Sequence, residues 1–208
     1  MKKQLLNIGL VGLMALFTSV ATATPITDVQ EHANNTATEY FVDVDGNKYN
    51  DPYYRNMDQD WEWVHNGIAG SGFSSIVLEI SAFDVDFDDG ELDMIDIWDG
   101  STWIGFGDLA GASDIWAFTE FDLTGFAWAE AQVNAGLQVR MDIDSADTGS
   151  WWVTLGKATL SIDGGSQNCV PTPGVPCTST DVPEPTGVAL LGLGLVAMGW
   201  SRKRQLSK

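Results

Sequence analysis

Residues 137–144 read Leu-Gln-Val-Arg-Met-Asp-Ile-Asp, with Leu137, Val139, Met141 and Ile143 alternating against Gln138, Arg140, Asp142 and Asp144. A period of two places each set on its own face of an extended chain, so this stretch predicts a half-buried β-strand. The same signal recurs in both directions. Leu92, Met94, Asp96 and Trp98 alternate with Asp93, Ile95 and Ile97, Asp99-Gly100 marks a turn, and residues 102–106 return. Residues 75–85 (SIVLEISAFDV) and 114–123 (DIWAFTEFDL) are rich in β-branched and aromatic side chains. Residues 151–155 and 157–162 read as two further strands, and residues 127–134 as one helical turn or a loop. Many short strands separated by Gly and Asp turns predict an all-β domain over residues 51–165, an antiparallel β-sandwich. Jelly-roll-like and immunoglobulin-like topologies both fit the pattern.

Upstream of the strands, residues 24–50 form a polar lead-in. Within it, Tyr40-Phe41-Val42-Asp43-Val44 and Asn47-Lys48-Tyr49 flank Asp45-Gly46, which predicts a small hairpin on a type I′ turn. Residues 28–38 before it read as helical or loose. At the start of the chain, Met1-Lys2-Lys3 precedes the apolar residues 5–20, and Ala21-Thr22-Ala23 follows. A basic start, an apolar stretch and a small-x-small site predict a secretory signal helix over residues 1–23, cut after Ala23 by signal peptidase. A retained membrane anchor is the alternative.

At the other end, Val182-Pro183-Glu184-Pro185 leads into residues 186–200 (TGVALLGLGLVAMGW) and then Arg202-Lys203-Arg204. As a helix this stretch reaches roughly 22 Å, short of the ~30 Å hydrocarbon core, and Trp200 with snorkelling basic side chains makes up the difference. The positive-inside rule keeps the basic cluster cytoplasmic and the body outside. Pro-Glu-Pro, a short transmembrane helix and a basic tail over residues 183–208 resemble the PEP-CTERM sorting signal of Gram-negative bacteria. The resemblance implies recognition by an exosortase, a membrane Cys protease or transpeptidase that removes the tail near Pro183, Glu184 and Pro185. It also implies a place in envelope, exopolysaccharide or biofilm systems, with this chain as the substrate rather than the enzyme. Asp51-Pro52-Tyr53-Tyr54-Arg55, Asp60-Trp61-Glu62-Trp63-Val64-His65-Asn66, residues 80–86, residues 136–144 and Trp152-Val153-Thr154-Leu155 in turn resemble the extracellular domains common in PEP-CTERM proteins. That second likeness supports a β-sandwich and export and transfers no catalytic residue.

Charge narrows the function classes. The chain has 29 acids against 10 Lys+Arg, a formal charge of −19. Between Thr24 and Val182 only Lys48, Arg55, Arg140 and Lys157 oppose 28 acids, so the body carries −24. A nucleic-acid partner is excluded on that ground. With two Cys and two His, zinc fingers and iron–sulfur clusters are excluded as well. Residues 166–182 form a Pro/Gly/Ser/Thr-rich linker holding Cys169 and Cys177, which in an exported chain predict a disulfide closing a small loop, with two free thiols as the alternative.

Three acidic pairs follow the two-residue period: Asp84 with Asp86, Glu91 with Asp93, and Asp142 with Asp144. Ca²⁺ takes six to eight oxygen ligands, so three converging strand ends would make a Ca²⁺ cage; an acidic rim facing water is the other reading. An EF-hand register fails, since positions six and twelve counted from Asp84 are Asp89 and Ile95. Trp61 and Trp63 share a face of one predicted strand, and Trp152 stands beside Trp151. Exposed, they would stack against sugars; buried, they would anchor the core. Neither Gly-x-Ser-x-Gly nor His-Glu-x-x-His occurs, and His32 and His65 show no nucleophile beside them in sequence. The expectation is a non-enzymatic structural or adhesive protein of the envelope or matrix, stabilised by Ca²⁺. An exopolysaccharide-binding module is the alternative, and a secreted hydrolase is the remote one.

Overall fold

A computed structural model describes residues 26–57, 59–146, 149, 151–164, 167–168, 172–174 and 178–179. The signal segment with Ala21 and Ala23, the cysteines Cys169 and Cys177, and the sorting segment with Pro183, Glu184, Pro185, Arg202, Lys203 and Arg204 lie outside these residues. Among the described residues no helix is long and apolar enough to cross a membrane.

Two antiparallel sheets form the body. The first contains β1 (Ile26–Glu31), β4 (Ile76–Phe83), β7 (Trp116–Asp122) and β9 (Trp152–Ile162) in the order β1-β9-β4-β7, with β2 (Arg55–Asn56) pairing to the start of β9. The second contains β3 (Trp61–Val64), β5 (Met94–Trp98), β6 (Trp103–Asp108) and β8 (Gln138–Asp142) in the order β3-β8-β5-β6. One short helix, α1 (Ala129–Ala135), precedes β8. A two-residue ladder joins β10 (Gln167–Asn168) to β11 (Thr178–Ser179), whose inner ends border Cys169 and Cys177 in sequence. The all-β class and antiparallel pairing expected from alternation are present, and a single apolar core draws on both sheets.

Inward residues follow the period of two. Trp61 and Trp63 of β3, Ile95 and Ile97 of β5, and Val139 and Met141 of β8 are all buried. From the other sheet Leu78, Ile80 and Ala82 of β4 meet them. Trp63 is fully buried and contacts Phe41 edge-on at 5.3 Å.

The stretches 151–155 and 157–162, expected as two strands, are one. Val153 and Leu155 are in one phase, and Ala158, Leu160 and Ile162 in the other. In the pairing with β4, Ser81 faces Lys157 and Ala82 faces Leu155, so Gly156 has no partner of its own. This bulge absorbs the phase change, and all five apolar side chains reach the core from one continuous strand.

The lead-in is also different from expectation. Residues 26–31 form β1, in register from Ile26 opposite Ile162 to Glu31 opposite Lys157. The sheet therefore begins ahead of residue 51. The expected hairpin at Asp45-Gly46 is absent: residues Asp45–Asn47 form a 3-10 turn instead. The backbone there closes short turns on itself, Asn47 N–H to Val44 O at 3.0 Å and Asn50 N–H to Asn47 O at 2.8 Å, and is tied to β9 on either side. Val42 N–H donates to Leu155 O at 2.9 Å, and the Thr154 hydroxyl donates to Lys48 O at 2.6 Å.

Asp28 links the sheets. Its carboxylate accepts from His65 Nδ1 at 2.9 Å, Asn66 N–H at 3.1 Å and Asn66 Nδ2 at 2.8 Å, just beyond β3. Burial alone would raise its pKa, but the hydrogen bonds from His65, Asn66 and Gln30 hold it well below the ordinary carboxylate range. A lowered native pKa adds stability that is present above about pH 4 and is lost as acid protonates the folded protein. Asp28→Ala should cost about 1.5–3 kcal/mol at neutral pH in urea titration, and the variant's deficit should shrink toward low pH.

Candidate functional site

The alternation that carries Ile95 and Ile97 inward extends upstream to Asp93 and Glu91. Both carboxylates lie in the approach to β5, not on the strand as expected, and both have 0% exposure. Asp144, also at 0% exposure, sits in the turn after β8 with a positive φ of 49°. Its own N–H donates to Asp93 Oδ1 at 3.1 Å, and its Oδ2 accepts from Gly149 N–H at 2.9 Å. Asp86, just after β4, donates its N–H to Glu91 Oε2. Ser145 N–H to Leu92 O at 2.8 Å and Leu109 N–H to Asp93 O at 2.9 Å close the backbone around the group.

Among the described residues, Asp86 Oδ1 and Asp108 Oδ1 are buried without a hydrogen-bond partner, and Glu91 Oε1 and Asp93 Oδ2 meet no donor beyond the hydrogen bond the two acids share. Asp108, at the end of β6, did not stand out in the sequence. It is a lone acid after a Gly-rich strand, and only the pairing of Met94 with Asp108 brings it beside the others. Among the described residues no three Asp, Glu, His or Cys side chains are arranged to hold a metal ion as they stand.

Of the six acids expected to converge, Asp86, Glu91, Asp93 and Asp144 do. Asp84 stands apart with both oxygens engaged, Oδ2 by the Tyr54 hydroxyl at 2.5 Å and Oδ1 by Asp114 N–H at 2.8 Å. Asp142 is on the opposite face of β8, because Met141 and Ile143 take the inward positions on either side of it. It borders a surface hollow with Asp60, Glu62 and Arg140.

Burial pushes Glu91 up to about 9, reinforced by the charge of Asp93, and the two acids share a hydrogen bond. Burial likewise pushes Asp93 up to about 7, with Asp144 and Asp108 adding repulsion. Asp86 and Asp108 are raised too, by burial first. The cluster therefore stores protons that water-exposed carboxylates would release.

The tryptophans divide between the two readings, core and surface. Trp61 and Trp63 point into the core, since β3 alternates with Glu62 and Val64 outward. They form no exposed platform. Trp152, at 37% exposure, does reach the surface, where its ring stacks on Tyr54 with centroids 5.3 Å apart. His65 Nε2 accepts from Trp63 Nε1 at 3.4 Å while its Nδ1 meets Asp28, so both ring nitrogens are engaged in the interior.

Residues 181–204 match the family model of the PEP-CTERM protein-sorting motif. The chain carries an exosortase sorting signal. The PEP-CTERM match coincides with the Pro-Glu-Pro, apolar and basic elements read at residues 183–204, and it makes the chain an exported, envelope-associated protein of the Gram-negative type. No curated protein and no solved structure matches the chain.

The pH dependence of stability follows from the raised carboxylates. A carboxyl whose folded pKa lies above its unfolded value adds stability that is complete below the unfolded pKa and is lost as pH rises through the folded one. With chelator present, Tm should fall as pH rises from about 4 toward 9, across the range set by Glu91 and Asp93. Glu91→Gln, which keeps the shape without the titration, should flatten that slope. A slope unchanged in the variant would contradict the assignment.

Proposed function

We propose that this is a non-enzymatic exported protein whose acidic sandwich serves as a structural or adhesive unit of the cell envelope and is stabilised by Ca²⁺. The observation that carries the reading is the burial of Glu91 and Asp93 side by side at 0% exposure, with Asp86 Oδ1 and Asp108 Oδ1 beside them left without a hydrogen-bond partner among the described residues. A buried polar atom left without a partner is costly, and native folds keep few of them. Asp86, Asp108 and Asp144 bring further hard oxygens from three other segments, as Ca²⁺ prefers. Binding exchanges the Glu91–Asp93 hydrogen bond for the cation, with a small movement of these side chains. Five acidic side chains from four segments drawn to one ion would lock the stretch after β4, the β5 approach, the end of β6 and the turn after β8 together.

The engagement of both His65 nitrogens supports a body without acid–base catalysis. Export supports the cation, since Ca²⁺ is abundant outside cells and the body's charge of −24 attracts it.

Thermal melts of the full chain should rise by several degrees in millimolar Ca²⁺ and fall back with chelator. A ligand at 100 times its Kd contributes about 2.7 kcal/mol. Asp93→Asn should abolish the response, whereas Asp142→Asn should keep it, because Asp142 is on the outer face. Superimposable melts in all conditions would defeat the cation reading.

Processing is tested separately. Mass spectrometry of the protein recovered from the surface of its host should show a mature end near Pro183-Glu184-Pro185. An intact Arg202-Lys203-Arg204 tail on that form would contradict exosortase removal.

A further inference from the structure

Adjoining the carboxylate cluster through Tyr54 and Asp84, a cleft of about 560 Å³ opens between the start of β9 and the segment leading into β3. Its lining is Tyr49, Asp51, Tyr54, Asn56, Gln59 and Trp152. That volume falls in the ~300–1,000 Å³ range of small-ligand sites. Three aromatic rings meet there. Tyr54 stacks on Trp152 with an interplanar angle of 29°, and Tyr49 stands edge-on to Tyr54 at 5.4 Å. Tyr49 is 52% exposed, a high value for a large aromatic side chain, and Trp152 is 37% exposed.

The rings are fixed in advance of any ligand. The Tyr54 hydroxyl donates to Asp84, and the Tyr49 hydroxyl donates to Asp114. Tyr49 also packs edge-on against buried Phe83 at 5.3 Å. Trp152 is held by its strand, opposite Asn56 of β2. Rings locked by polar tips and packing lose little freedom when a ligand arrives. Around them stand a carboxylate and two amides. Gln59 Oε1 accepts from Asn56 N–H at 3.2 Å, which holds this side chain at the cleft. Asp51 is exposed.

We propose that this cleft binds a neutral hexopyranose chain. A pyranose ring has an apolar face of C–H groups and a rim of hydroxyls that both donate and accept. The first matches the exposed aromatic surface, and the second matches Asp51, Asn56 and Gln59. A proline-rich peptide would also stack on the aromatics, but it offers few donors and would leave Asp51 desolvated without a partner. An anionic glycan would meet Asp51, Asp84 and Asp114 of the cleft and its floor, on a body of net charge −24. None of the residues lining this cleft is among the five acids of the cation site, so sugar binding does not require Ca²⁺ there.

Isothermal titration of the full chain against cellohexaose, laminarihexaose and mannohexaose tests it, with hexagalacturonate and decaproline as controls. At least one neutral oligosaccharide should bind, and neither control should. Trp152→Ala and Tyr49→Ala should each weaken that binding on the order of tenfold, or ~1.4 kcal/mol, with an unchanged melting profile. Trp152→Phe should restore part of it. If Trp152→Ala fails to fold, Gln59→Ala should still weaken binding several-fold. No binding of any neutral hexasaccharide at millimolar concentration overturns the proposal. So does binding confined to hexagalacturonate or decaproline, or sugar binding untouched by Trp152→Ala, Tyr49→Ala and Gln59→Ala.

Discussion

The strand β9 is hydrogen-bonded to β1 and β4 and covered on both faces, and most other contacts are arranged around that fact. Its apolar side chains face the second sheet. On the other face Thr154, Lys157 and Thr159 are also buried. Thr154 is satisfied by the backbone of the lead-in, at Lys48 O and Tyr53 O. Lys157 faces the charges of Glu31 and Glu79, and burial still lowers its pKa. A strand of eleven residues could not keep one face inward across its own change of phase without the bulge at Gly156. The lead-in, folded into short turns, covers this strand.

The same periodicity that makes the core also makes the acidic cluster. Positions 91, 93, 95 and 97 take the inward face in turn, and the first two are acids. Two carboxylates are thereby placed where only apolar residues are inexpensive. Sharing a proton lowers part of that cost, and the pKa values of Glu91 and Asp93 rise accordingly. Nothing in the packing of the core itself requires acids at these positions. Their burial is the feature that sets this body apart from a sandwich with a merely acidic surface.

Much of the architecture was legible because alternation is a local property. Val139 and Met141 against Arg140 and Asp142 could be sorted by face from the sequence alone, and the structure sorts them the same way. Where two signals competed, local rules failed. Asp45-Gly46 is a strong hairpin signal, yet it closes a 3-10 turn, while Val42 N–H and Lys48 O on either side are taken by β9. Trp61 and Trp63 were correctly placed on one face, but whether that face was core or surface depended on a second sheet. Asp142 and Asp144 looked like a pair by spacing. The turn after Ile143 separates them, turning Asp144 inward at a positive φ while Asp142 remains on the outer face.

The one-dimensional pattern was enough to establish the sorting signal at residues 181–204 and the strand character of the body, since both are read from residues close together in the chain. Spacing could group Asp86 and Asp144 with Asp93 only on the condition that three strand ends meet, and Asp108 was beyond its reach, because it arrives through the pairing of β6 with β5, a register that no local spacing encodes. The cleft of Tyr49, Tyr54 and Trp152 is likewise a product of pairing between β2 and β9, nearly a hundred residues apart. Local chemistry determines which face a side chain takes; only the closing of long loops decides which other side chains it meets there.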